Sequence, residues 1–252
     1  MRSFHLPPKQ WREPFVLAGT ESHHLCKVLR MEAGETIRCF DGQGREGLFS
    51  VVQPGKYKTP LTPIEEFQHP PRERTTILAL AWAKGLRRSW LFEKAVELNC
   101  DGVWFWQAEH SQGKLPEKIK ATWLAQCIAG AKQSGNPWLP DIELIQGGAS
   151  GLASRVSEFD ASYVLWEDQE RGQLVSHGQL REPKTALFVV GPEGGFSQGE
   201  IKHFLHADMM PVSLGPRIVR WETAALACLS LRFWASGEFE STVSPFSSIS
   251  QE

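Results

Sequence analysis

Two glycine-marked loops carry the residue types from which a ligand site can be built. They are Gly191-Pro192-Glu193-Gly194-Gly195-Phe196 and Leu214-Gly215-Pro216-Arg217-Ile218-Val219-Arg220-Trp221-Glu222-Thr223. Each follows a short apolar run and precedes a helix-like pattern. A glycine at the carboxyl end of a buried strand lets backbone amides approach a ligand with no side chain between them. Two such loops, a strand and a helix apart, predict one shared pocket. Neither G-x-x-x-x-G-K-[ST] nor G-x-G-x-x-G stands at a strand-to-helix junction, and Glu193 would repel phosphate, so nucleotide-phosphate binding is disfavoured.

The elements that must position these loops are legible from residue 75 onward. Apolar runs at 76–82, 102–106, 162–166, 186–190 and 211–214 alternate with helical patterns at 89–98, 115–132 and 223–234. Such alternation indicates an α/β domain with a largely parallel sheet covered on both faces. Ser197 and Glu200 form a capping box at the start of another helix, with Phe196 placed to staple it. The helix from Thr223 to Trp234 is rich in Ala, Leu and Phe and must be largely buried against the sheet or a partner chain. Thr223 itself is a candidate helix cap.

Before residue 75 the pattern is that of a small β-barrel. Residues 35–40 and 47–52 read as strands joined by Asp41-Gly42-Gln43-Gly44, and only 21–31 has a helical look. The Pro- and charge-rich stretch 63–74 is the candidate linker. The resulting division is 1–72, 73–240 and a Ser-rich tail, 241–252, expected to be disordered.

Composition narrows the function classes. No run of about 20 apolar residues or signal-peptide pattern occurs, so a cytoplasmic location with no membrane attachment is expected. The five cysteines, at 26, 39, 100, 127 and 228, lack any C-x-x-C pair; they suggest reduced, mostly buried thiols and no metal site. His203 and His206 lack the acidic companion of a zinc motif and read as surface residues. The net charge is -2, divided as +2 over residues 1–75 and -4 over the rest, so the N-terminal segment is the better candidate to face a polyanion. Trp82, Trp104, Trp106 and Trp166 lie in predicted strands and read as core; Trp221, inside the second loop, is the tryptophan placed to touch a ligand.

The order and spacing of the two loops resemble the RsmE family of ribosomal RNA uridine-N3 methyltransferases, of the SPOUT superfamily. That family carries GPEGG in its first loop and LG-x-R-I/V-L-R-x-E-T-A in its second, which Leu214 to Ala224 match, with Trp221 where a smaller residue is usual. His24-Leu25-Cys26-Lys27-Val28-Leu29-Arg30 is similar to its H-x-x-x-V-L-R segment, and Phe92-Glu93-Lys94-Ala95-Val96-Glu97-Leu98 to its K-x-x-K-A-x-E-L-G segment, with Asn99 in place of the glycine. The resemblance implies a PUA-like barrel for RNA recognition, a SPOUT sheet with a C-terminal trefoil knot, and a homodimer. It implies S-adenosyl-L-methionine as methyl donor, no metal, and small-subunit (16S) ribosomal RNA as substrate, free or in the assembled subunit.

On that resemblance, Gly191, Glu193 and Gly195 with Leu214, Gly215, Ile218 and Thr223 are the expected donor contacts. Methylation of uracil N3 requires loss of the imide proton, and a guanidinium stays protonated while donating two parallel hydrogen bonds. Arg220, or else Arg217, is therefore the candidate stabiliser of the ionising base. Glu222 would hold the arginine or accept the proton. Arg2, Lys27, Arg30 and Gln133 are candidate RNA contacts, with Lys27 and Arg30 three apart on one helical face. Two further segments depart from the pattern: His110 stands for Arg in T-E-R-S, and Lys132 stands for Glu and Asn136 for Arg in E-Q-[CS]-x-R. They leave open a methyltransferase acting on another RNA position and a non-catalytic ribosome-associated RNA-binding factor.

Overall fold

A computed structural model describes residues 1–83, 87–166 and 173–237. The tail expected to be disordered lies outside the described residues. The described residues divide into two compact units, one of residues 1–71 with 128–139 and one of residues 72–127 with 140–237. The first recruits a stretch, 128–139, that the sequence reading had assigned wholly to the second.

In the first unit, β1 (Ser3–His5), β2 (Val16–Ala18), β3 (Thr36–Phe40), β4 (Arg45–Val51) and β5 (Lys58–Gln68) form a sheet in the order β1-β3-β4-β5-β2. Only β1 and β3 run parallel. Phe4, Leu17, Ile37, Phe49 and Leu61 are among its buried core. The stretch 63–74 is not a linker over its first half. β5 runs through Pro60, which pairs with Val16 of β2, and Pro63, which lies at the register shift opposite Leu48 and Phe49, and a bulge is where a strand tolerates a missing N–H.

Helix α1 (Gly19–His23) continues as a π-helical stretch, His24–Val28. Arg30 follows with φ +52 and so lies beyond the helix, which breaks the shared face expected for Lys27 and Arg30. Fully buried Glu46 holds Arg38 (Nε to Oε2, 2.5 Å) and His69 (Nε2 to Oε1, 2.6 Å), so the carboxylate is ion-paired in a dry setting.

The second unit is a seven-stranded, wholly parallel sheet. Its strands are β6 (Thr75–Ala81), β7 (Gly102–Trp106), β8 (Asp141–Ile145), β9 (Ala161–Leu165), β10 (Gln173–Leu174), β11 (Thr185–Val190) and β12 (Met210–Ser213), in the order β10-β12-β9-β11-β6-β7-β8. Its helices are α2 (Arg87–Glu97), the first half of α3 (Ala121–Ser134), α4 (Gly148–Ala153), α5 (His177–Arg181), α6 (Gln198–His206) and α7 (Trp221–Ala235). The central strands β7 and β11 are buried almost throughout, which is why they read as unbroken apolar runs. α3 begins at Ala121 rather than 115, because the Leu115 N–H is held at 2.6 Å by the Gln107 side chain in a loop.

One buried cation ties this unit together. Arg232 of α7, only 2% exposed, donates to the Leu180 carbonyl, to the carbonyls of Pro183 (2.8 Å) and Lys184 (3.1 Å), and to Thr76 Oγ1 (3.4 Å). Arg74 donates to the Arg181 and Pro183 carbonyls from the other direction. These oxygens end α5 and lead into β11, where a helix leaves its carbonyls without partners. Burial pushes the thiols of Cys100, Cys127 and Cys228 up to about 12, so they behave as small apolar residues.

Arg232→Ala should deprive the buried Leu180 carbonyl of this donor, leave a cavity where the side chain lay, and lower the unfolding free energy by about 3 kcal/mol or more. Urea unfolding followed by circular dichroism checks this; an unchanged midpoint contradicts the anchoring role.

Candidate functional site

β12, β9 and β11 are neighbours, and all three end on the same edge because the sheet is parallel. Outside their carboxyl ends lies a cavity of about 940 Å³, the position where open α/β sheets hold ligands. Leu165 and Trp166 follow β9, Gly191 to Glu193 with Gly195 and Phe196 follow β11, and residues 212–221 come from β12 and the loop beyond it. Gly191, Glu193, Gly195, Leu214, Gly215, Arg217, Ile218 and Arg220 therefore line one space, as does Trp221. Trp166, expected in the core, packs partly there and also faces the cavity.

The glycines are there for steric reasons. A Cβ on Gly191 would sit 2.9 Å from the Phe196 ring. That ring is fixed by stacking on Trp106 (6.1 Å between centroids) and by an edge contact with Phe204 (5.8 Å). Gly195 at φ +72 and Gly215 at φ +116 occupy left-handed backbone that a side chain would strain. Ser213 Oγ accepts from the Gly215 N–H at 3.2 Å and steadies the entry to the second loop.

The segment after β7 braces the first loop. The expected capping box is present: Ser197 Oγ accepts from the Glu200 N–H (3.2 Å) and Glu200 Oε2 from the Ser197 N–H (2.7 Å). The other oxygen of this buried carboxylate accepts from the Glu109 N–H at 2.9 Å. His110 Nδ1 then lies 3.1 Å from both the Gly194 and Gly195 carbonyls, so that nitrogen carries the proton. Gln112 Nε2 donates to Glu193 Oε2 at 3.1 Å. Sequence reasoning treated His110 only as a lost positive charge and passed over Gln112; nothing in their local spacing signals contact with a loop some 80 residues away.

Two candidates stand apart from the cavity wall. Glu222 is buried in the first turn of α7, and Thr223 is exposed on that helix; neither lines the cavity. Thr223 does not cap α7, whose N-cap is Arg220 with no side-chain cap bond.

In the first unit, Arg2, Lys27, Arg30 and Gln133 are all exposed. Arg2 Nη1 donates to the Leu29 carbonyl at 3.1 Å, which sets it beside the 27–30 segment. Lys132, the second departure from the family pattern, pairs with Glu21 at 2.6 Å and so joins α3 to α1. Among the described residues no group of His, Cys, Asp or Glu is placed to hold a metal ion, and no helix is long and apolar enough to cross a membrane.

Comparison with known proteins agrees with this geometry. A family described as an RNA methyltransferase domain matches residues 70–232, and one described as an RNA methyltransferase PUA domain matches residues 17–57. The ribosomal RNA small subunit methyltransferase E of Bacillus subtilis is 29% identical over 227 residues, covering 86% of this chain and 88% of its own. A methyltransferase from Legionella pneumophila, solved with bound SAM, superimposes with a TM-score of 0.81 at 25% identity, over 92% of this chain and 97% of that one. The ribosomal RNA small subunit methyltransferase E of Neisseria gonorrhoeae, bound to S-adenosyl methionine, gives 0.79 at 26% identity, over 91% and 95%.

Gly191→Ala should displace Phe196 into the cavity and weaken S-adenosylmethionine binding at least about tenfold. Gly199→Ala is the control, because its added Cβ meets neighbours only at 3.5 and 3.6 Å inside α6. Isothermal titration calorimetry distinguishes them, and equal affinity in both variants contradicts the steric account.

Proposed function

This chain belongs to the RNA methyltransferase domain family, and from that premise we propose that it transfers a methyl group from S-adenosylmethionine to N3 of a uridine in small-subunit ribosomal RNA. The observation that carries the proposal is the single cavity outside β12, β9 and β11, lined by both glycine loops and two arginines. Its residues suit the donor: backbone groups of 191–195 and 214–218 reach adenine edges without side chains between, and Leu165, Val190, Phe196 and Ile218 supply an apolar slot. Glu193, steadied by Gln112, accepts from a ribose hydroxyl and tolerates a cation. The bound donor supplies an electrophilic methyl group on a sulfonium.

The protein's own task is to stabilise the base as its imide proton leaves. Arg220, with Arg217 beside it in the loop, donates to the uracil oxygens where negative charge develops. Glu222, buried and off the cavity wall, serves to set the start of α7, where a carboxylate is favoured by unpaired helix N–H groups, rather than to take the proton. Thr223 has no donor contact in this reading.

Residues 1–72 are read as the PUA-like RNA-recognition domain and 73–240 as the SPOUT domain, with Arg2, Lys27 and Arg30 of the former and Gln133 of the latter on RNA. The trefoil knot is supported by the place of β11, which inserts between β6 and β9 after both have been laid down. A homodimer is supported by α7, where Leu231 and Trp234 are 36% and 54% exposed at helical spacing. The protein is assigned to the cytoplasm, where ribosomal substrates occur.

Purified protein incubated with labelled S-adenosylmethionine and small ribosomal subunits from cells lacking its gene should place the label in 3-methyluridine. Label in another nucleoside overturns the N3 assignment, and donor binding without label overturns catalysis in favour of an RNA-binding role. Arg220→Ala should lower kcat about a hundredfold or more with donor affinity within twofold; unchanged turnover removes Arg220 from the mechanism.

A further inference from the structure

The loop at residues 55–58 of the first unit has a construction that the methyl-transfer site does not use. Tyr57 is 70% exposed, among the most exposed large side chains described. A single exposed aromatic needs no explanation by itself. This one is held on a clamped turn. Ser22 Oγ donates to the Gly55 carbonyl at 2.7 Å and lies 2.8 Å from Thr59 Oγ1, and both hydroxyl residues are fully buried. Thr59 Oγ1 accepts from the Gly55 N–H at 3.1 Å, and the Gly19 N–H donates to the Tyr57 carbonyl at 3.0 Å. A Cβ on Gly55 would lie 2.2 Å from the Lys58 carbonyl, so the turn requires glycine.

The chemistry displayed on this turn is specific. Lys56 and Lys58 flank the ring, Lys56 Nζ lies 5.0 Å from its centroid, and both lysines are exposed. From residue 47 to 64 the chain has no Asp or Glu. A rigid, exposed aromatic between two cations, in a unit with net positive charge, matches an unpaired nucleobase with phosphates on either side. Stacking accepts any base, and the lysines take the backbone.

We propose that this loop is an RNA-contact site, with Tyr57 stacked on an unpaired base and Lys56 and Lys58 on flanking phosphates. The proposal rests on the reading that the chain acts on RNA. It adds a contact on the β5 side of α1, at residues distinct from Arg2, Lys27, Arg30 and Gln133.

The test is filter binding of the full-length protein to a small-subunit ribosomal RNA transcript. Tyr57→Ala should weaken binding about tenfold, and Tyr57→Phe should keep it within twofold. Lys56→Ala with Lys58→Ala should flatten the dependence of log affinity on log salt by about 1.5 units. Melting temperature and donor affinity should stay at wild-type values in every variant. Wild-type binding by Tyr57→Ala overturns the site, as does a loss matched by a fall in melting temperature. Where wild type methylates small ribosomal subunits and Tyr57→Ala binds and methylates equally well, this site alone falls; where wild type methylates neither the transcript nor the subunits, the proposed methyl transfer falls with it.

Discussion

The buried guanidinium of Arg232 is the contact through which the last helix constrains the sheet. A parallel sheet does not specify where a helix beyond its last strand should lie. Arg232 supplies that specification by donating to carbonyls at 180, 183 and 184, the stretch that ends α5 and enters β11, and to Thr76 at the start of β6. The second glycine loop spans the short gap between β12 and α7. With α7 anchored at its C-terminal end and β12 paired to β9, both ends of that loop are fixed. The loop therefore presents Arg217 and Arg220 from two rigid supports.

The first glycine loop is constrained differently, from its flank. Glu200 caps α6 with one carboxylate oxygen and holds the 109 backbone with the other, so a single buried side chain sets both the helix start and the neighbouring segment. His110 and Gln112 extend from that segment onto the loop. At 110 the histidine directs its Nδ1 at the Gly194 and Gly195 carbonyls. Gly194 permits this, since a Cβ there would lie 3.0 Å from the His110 Cβ. His110 and Lys132 thus each have a partner: His110 on the first glycine loop and Lys132 on Glu21.

Much of this was legible in the sequence where local rules dominate. Strands buried on both faces announce themselves as apolar runs, and the capping box at Ser197 and Glu200 is a four-residue pattern. Both loops could be placed because glycine has few other reasons to recur at strand ends. What escaped was set by distant partners. β8 alternates and is only partly buried, β5 carries Pro63, which a bulge excuses, and 128–139 groups with the first unit through long-range contacts such as Arg38 Nη2 to the Gly135 carbonyl at 2.8 Å. Thr223 looked like a cap because Thr is a capping type, yet the helix starts two residues earlier.

Electrostatics explains how a chain of net charge -2 can handle a polyanion. A basic field over the whole surface raises nonspecific affinity and its salt dependence together. The cations proposed to meet RNA lie on short segments: Lys27 and Arg30, with Arg2 hydrogen-bonded to the Leu29 carbonyl between them in sequence, and Lys56 and Lys58 on the clamped turn. Arg38 is withdrawn by pairing with buried Glu46, and Lys132 is engaged by Glu21. Few cations at fixed positions yield little affinity for a uniform duplex and more for a particular arrangement of phosphates and unpaired bases. With the RNA contacts proposed above, discrimination among RNAs comes from where the charges are held rather than from how many there are.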